Sequence, residues 1–82
     1  MSLGARLKRE RERHGWSQQE LARRAVVRQA SISNLESGKR QDTPTRILRR
    51  LARALGVTMD YLGGMYEDED DLALPAVAVG AS

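Results

Sequence analysis

Apolar residues along this chain recur three and four positions apart rather than alternating, and the pattern breaks wherever glycine, proline or small polar residues cluster. That period predicts helices, because side chains at such spacings share one helical face. Over Leu3 to His14, Leu3 and Leu7 stand a turn apart among strong helix formers, and Gly15 supplies the stop. The next start is marked by "WSQQEL". Ser17 can cap the free N–H groups, Glu20 three residues on can return the bond, and Trp16 and Leu21 hold the two positions of a hydrophobic staple. A second helix is therefore expected from Gln18 to about Ala25, burying Leu21, Ala22 and Ala25, with Trp16 as a core residue.

A third helix follows after a tight link at Val26 and Val27 and ends near Ser37-Gly38, with Gly38 suited to a left-handed cap and Lys39 and Arg40 near the negative helix end. Ile32 and Leu35 share its buried stripe. A fourth helix starts at Thr43-Pro44, threonine capping and proline at the first helical position, and runs through "TRILRRLARAL" to Gly56. Ile47, Leu48, Leu51, Ala54 and Leu55 give it the widest apolar stripe, which predicts the central packing helix. The fifth, "MDYLGG", sits behind the cap Thr58, with Val57 and Leu62 as a second staple and Gly63-Gly64 as terminator. No strand pattern precedes residue 72. Five helices on links this short predict an all-α fold, one compact five-helix bundle.

Length and composition narrow the picture. With 82 residues, 40% of them hydrophobic, the chain has room for a single modest core. It has no cysteine, so disulfides and thiolate metal sites are excluded. No apolar run approaches membrane-spanning length and no signal-peptide pattern opens the chain, so no membrane association and a cytoplasmic location are expected. The charges are segregated: residues 1–66 carry all 14 Lys and Arg and a balance of +8, whereas residues 67–82 carry −5, within a formal total of +3. A basic body suits a polyanion, since Lys and Arg release counterions from phosphates. Residues 1–66 are read as the domain and residues 67–82 as an acidic, then apolar, tail.

Catalysis has little to stand on. His14 is the sole histidine, just before Gly15 at a helix end, where exposure or a dipole contact accounts for it. The run "EDEDD" lacks the alternating ligand spacing of a calcium loop. No catalytic residue, no metal site and no cofactor is expected, and the chain is read as not an enzyme.

What remains is the outer face of the third helix, where Gln29, Ala30, Ser33 and Asn34 are small or amide-bearing and uncharged. From Leu3 to Leu62, the blocks "WSQQELARRA", "SISNLESGKR" and "LARALGVTMDYL" stand in the order and at the intervals of a known family. The chain resembles the phage-repressor type of helix-turn-helix domain, the family of the lambda and Cro repressors. The resemblance implies that the second and third helices form the motif and that the third enters the major groove of double-stranded DNA. It makes Gln29 the leading base-reading residue, with Ala30, Ser33 and Asn34 at the other positions that face bases; Gln and Asn can offer paired donor and acceptor groups to adenine. It makes Gln18 a phosphate contact, and Arg28, Lys39, Arg40 and Arg46 are the flanking phosphate candidates. Arg11 and Glu36 resemble a family pair that orients the reading helix, while Arg6, Arg9, Arg13, Arg49, Arg50 and Arg53 are left as solubility charges or distant contacts. One residue departs from the family, which commonly has glycine where this chain has Val26. Either the turn takes a right-handed conformation there or it stores strain.

The implied function is a sequence-specific DNA-binding transcriptional regulator, a repressor, acting as a homodimer on a near-palindromic site. The resemblance points to Met59, Tyr61, Leu62, Met65 and Tyr66 as the dimer interface. Two readings of residues 67–82 stand: a disordered end, or the cut edge of a longer protein whose sensor domain is missing, against a segment that packs on a neighbouring subunit. The rival function is a protein-interaction module, an antitoxin or coregulator using the same fold with an additional protein partner.

Overall fold

A computed structural model describes residues 2–63. Five α-helices follow in order: α1 Leu3–Arg13, α2 Gln18–Ala25, α3 Gln29–Ser37, α4 Thr45–Leu55 and α5 Met59–Gly63. The described residues contain no strand. The fold is all-α, as the apolar spacing predicts.

Local chemistry sets most of the helix ends. Ser2 caps α1 by accepting a bond from the Ala5 N–H at 3.1 Å, and Ser17 caps α2 by accepting from the Glu20 N–H at 3.0 Å. The Glu20 carboxylate does not complete the expected reciprocal box; it turns outward to Arg23 and Arg24. Hydrogen bonds from Arg23 and then Arg24 hold that carboxyl below the usual carboxylate range. Thr58 accepts from the Tyr61 N–H at 3.0 Å and starts α5. Gly15, Gly38 and Gly56 take positive φ where α1, α3 and α4 stop.

The start of α4 departs from expectation. Pro44 lies outside the helix at φ −56° and ψ 146° and serves as its N-cap, with no side-chain capping bond, so Thr43 is not the cap. The Pro44 carbonyl accepts from the N–H groups of Ile47 and Leu48 instead, at 2.9 and 3.0 Å.

The core consists of Leu7, Leu21, Ile32, Leu51, Leu55 and Leu62, filled in by Ala22, Ala25, Leu35 and Ala52. No single helix is its centre. α1 packs on α3 and α5, α2 on α3 and α4, and α4 on α5. The expectation of α4 as the central helix is therefore corrected to a shared core, in which Ile47, Leu48 and Ala54 stay half-buried at its edge. Trp16 is half-buried and packs against this core: its ring stacks on His14 at 4.2 Å and lies under the Arg24 guanidinium at 4.5 Å. A nitrogen of the His14 ring meets the Leu55 carbonyl at 2.9 Å, tying the ends of α1 and α4.

Two residues join the helices more closely than their types suggest. A Cβ on Gly4 would stand 1.8 Å from the Leu35 carbonyl oxygen, so α1 lies backbone to backbone against α3. Arg6, a solubility charge by residue type alone, is only 3% exposed: its guanidinium reaches the Leu62 carbonyl at 3.4 Å and lies 5.7 Å from the Tyr61 ring centre. Next to it the equally buried Glu10 accepts a 2.8 Å bond from the Tyr61 hydroxyl, which also receives one from Arg9. Together these contacts fasten α5 to α1.

Candidate nucleic-acid interface

The sequence directs the third helix outward by giving it only two residues to bury. Ile32 and Leu35 enter the core, while Gln29 and Ala30 are exposed and Ser33 and Asn34 half-buried. The four side chains expected to read bases therefore share one accessible face of α3. Its C-terminus is closed by the Arg40 N–H bonding the Asn34 carbonyl at 3.0 Å and by Gly38 at φ 85°.

One flank of that face is a charge-assisted network. Arg11 of α1 donates through Nε and Nη2 to the two Glu36 oxygens, at 2.8 and 2.9 Å, and through Nη1 to the Trp16 carbonyl at 2.8 Å. Both side chains are largely buried, at 11% and 4% exposure, and the bond to Glu36 pushes the Arg11 pKa above its ordinary value despite burial. Gln18 joins the same carboxylate, its amide nitrogen donating to Glu36 Oε1 at 3.0 Å. One carboxylate thus gathers α1, the start of α2 and the end of α3. Gln18 is half-buried within this network, so its amide has a protein partner as well as a place at the edge of the face.

The other flank is a groove. Glu36 and Asn34 are two positions apart and so project from nearly opposite sides of the helix. On the Asn34 side, an open groove of about 740 Å³ runs between the α2–α3 turn, α3, the segment leading into α4 and the first turns of α4. Arg28, Arg40 and Arg46 line it and are exposed, and among the described residues their side chains have no hydrogen-bond or ion-pair partner. Arg23 and Arg50 line it as well. Neither is marked for this place by its position in the sequence, because only the packing of α2 against α4 brings them here. Lys39 is exposed beyond the end of α3, outside the groove lining.

Val26 resolves the open alternative at the turn. It adopts φ 59° and ψ 51°, the left-handed conformation that glycine favours, and it is 71% exposed. The turn holds it there from both sides. The Val27 N–H bonds the Ala22 carbonyl at 3.1 Å, and Arg50 donates to the Val26 carbonyl at 3.0 Å.

The residues expected at a dimer interface divide. Leu62 is fully buried in the chain's own core and has no surface to offer a partner, which corrects its assignment. Tyr61 is half-buried with its hydroxyl engaged by Glu10 and Arg9, and Met59 is half-buried against the core. Met65 and Tyr66, like the whole tail from residue 67, lie outside the described residues. No group of three or more His, Cys, Asp or Glu among the described residues could hold a metal ion, and no described helix is long and apolar enough to cross a membrane.

A short capped helix, a tight turn and an outward-facing second helix braced by its neighbours define a helix-turn-helix domain. The chain belongs to the Cro/C1-type helix-turn-helix family, whose sequence profile matches residues 7–62. It is 39% identical over 67 residues to the HTH-type transcriptional regulator ImmR of Bacillus subtilis (strain 168), an alignment spanning 82% of this chain and 52% of that protein. It is 34% identical over 71 residues to the competence pilus inhibition repressor of Acinetobacter baylyi (strain ATCC 33305 / BD413 / ADP1), spanning 87% of this chain and 64% of that one. The chain thus spans between half and two thirds of the length of these relatives. Its fold is similar to a chain in a solved SinR protein/SinI protein complex, with a TM-score of 0.73 and 27% identity over 85% of this chain and 66% of that chain. The family and these relatives are transcription regulators, not enzymes.

Proposed function

We propose that this chain binds double-stranded DNA in a sequence-specific way and acts as a transcriptional repressor in the cytoplasm. The observation that carries the reading is the uncharged outer face of α3, flanked on one side by a groove with three arginines unpaired among the described residues. Gln29, Ala30, Ser33 and Asn34 read base edges, Gln29 by a bidentate contact to an adenine. Arg28, Arg40, Arg46 and Lys39 hold phosphates, and Gln18 adds a phosphate contact through the N–H that Glu36 leaves free. The Arg11–Glu36 pair orients α3 without touching DNA. A homodimer on a near-palindromic site completes the reading, with Met59 and Tyr61 as its candidate contacts within the described residues.

Selection from a random duplex library tests it. Enrichment of one near-palindromic sequence, bound by two copies in sedimentation, is the expected result; no enrichment overturns it. The base contact is tested by a cycle of parent and Gln29→Ala protein against the selected site and the site with its adenine replaced. Gln29→Ala should cost about 1–3 kcal/mol on the selected site and little on the altered one. Additive penalties would remove Gln29 from the reading role.

A second reading has its own support. The solved structure that this fold resembles is of a complex between two proteins, and Val26 leaves an exposed apolar side chain at the turn. In that reading the chain is a protein-interaction module, and the library selection yields no sequence while a protein partner competes for the helical surface.

A further inference from the structure

We propose that the acidic stretch Glu67-Asp68-Glu69-Asp70-Asp71 of this chain docks in its own arginine groove and competes there with DNA phosphates. The inference rests on the proposed DNA reading and names a regulator of the same surface. Three observations carry it.

The first is the state of the groove. Arg28, Arg40 and Arg46 converge on one open groove of about 740 Å³, and none has a carboxylate partner among the described residues. Among those residues, Asp42 is the one acidic side chain lining the groove, against five arginines. Like charges gathered this way repel one another and attract any flexible polyanion within reach.

The second is the segregation of charge. Residues 1–66 carry a balance of +8, and the next five residues are all acidic. Five consecutive carboxylates repeat negative charge at the short spacing of an extended chain, about 3.3–3.6 Å per residue. That is the property a groove suited to a phosphate strand would recognise.

The third is reach. α5 ends beside α4: a Cβ on Gly63 would stand 3.5 Å from a Leu48 methyl. Arg46 and Arg50, on the groove side of α4, are therefore only about one helix diameter away, roughly 10–12 Å. Four further residues, extended, cover about 14 Å to Glu67, and eight cover about 28 Å to Asp71. A tether this short places the carboxylates at an effective concentration on the order of millimolar beside the groove. Salt should weaken the docking steeply, because the contact is exposed and electrostatic.

In the docked state the phosphate contacts and the Asn34 edge are covered while Gln29, Ala30 and Ser33 of α3 stay open. Non-specific DNA, which depends almost wholly on phosphates, is then excluded more strongly than a cognate site, which adds base contacts. The tail would act as a filter that raises discrimination at the expense of affinity.

The test compares the 82-residue chain with a variant in which E67Q, D68N, E69Q, D70N and D71N are combined. In the absence of DNA, the NMR resonances of the Arg28, Arg40 and Arg46 Nε–H groups should differ between the two proteins at low salt. Those of Arg9 and Arg49, outside the groove lining, should not, and the difference should be independent of protein concentration. Binding to a random-sequence duplex should tighten about tenfold in the variant if the open form is about a tenth of the population, and the gain should vanish at high salt. Unchanged groove resonances overturn the docking even if DNA binds well. A difference that grows with protein concentration overturns it in favour of a second copy's tail. Groove shifts without binding to any duplex retain the docking and remove the DNA reading.

Discussion

Val26 sits where a β-branched side chain is least comfortable, at φ 59°, and its 71% exposure means that little burial compensates. A left-handed conformation costs an ordinary residue about 1–2 kcal/mol, while glycine adds roughly half that in unfolded-state entropy. The strain outweighs the entropy. Val26→Gly should therefore stabilise the domain by about 1 kcal/mol, raising its melting temperature by several degrees. Calorimetry of the two proteins decides, and a lower midpoint in the variant would show that the turn draws support from the valine side chain. Gly4 reverses the balance. Alanine is the better helix former by up to about 1 kcal/mol, but its Cβ would meet the Leu35 carbonyl oxygen at 1.8 Å, and that oxygen belongs to backbone. Separating α1 from α3 should cost about 2–3 kcal/mol, so Gly4→Ala is expected to destabilise on urea unfolding. An unchanged urea midpoint would mean that the helices part without loss.

At the scale of elements, one carboxylate positions α3. Glu36→Ala leaves the largely buried Arg11 guanidinium without its bonded carboxylate and frees the Gln18 amide. Removing one member of such a pair costs about 3 kcal/mol, and α3 loses a side-chain tie to α1 at the end nearest Ser37. Stability and DNA affinity should fall together, and a variant that melts like the parent would strip the pair of its orienting role. Much of this framework is legible in the chain itself. The helix ends at Gly15, Ser17, Gly38, Gly56 and Thr58 appear where those residues predict them, because capping is decided within a few positions. The start of α4 is not, because proline fits both the cap and the first helical turn, and only its ψ of 146° separates the two. Arg6 burial, the Tyr61–Glu10 bond and the place of Arg23 and Arg50 in one groove lining are hidden for another reason. Each depends on contacts between residues distant in sequence, where residue type predicts exposure and only packing overrides it.

For the molecule as a whole, the expected function is a competition among charges. Lys39 is exposed and has no ion-pair partner among the described residues, so Lys39→Ala should weaken cognate and unrelated duplexes alike. The slope of log affinity against log salt should shrink by about one unit while the melting temperature holds. Titrations at several salt concentrations measure it, and a preserved slope would take Lys39 off the phosphate path. Because the groove arginines stand apart from the Arg11–Glu36 network, stability and electrostatic affinity should vary separately among such variants.

The backbone contact of Gly4 with Leu35 bears on how this domain could diversify. α3 is carried by a glycine, two core side chains and one carboxylate, and none of them lies among Gln29, Ala30, Ser33 and Asn34. The surface facing outward is thus not under the obligations that keep the helix in place. On the proposed DNA reading, copies of such a chain can accumulate changes at those four positions while remaining folded, and each change is tried against a new target without first having to be repaired elsewhere. A scaffold organised in this way gives heritable variation in target preference at little risk to the fold, with Gly4 the position least free to change.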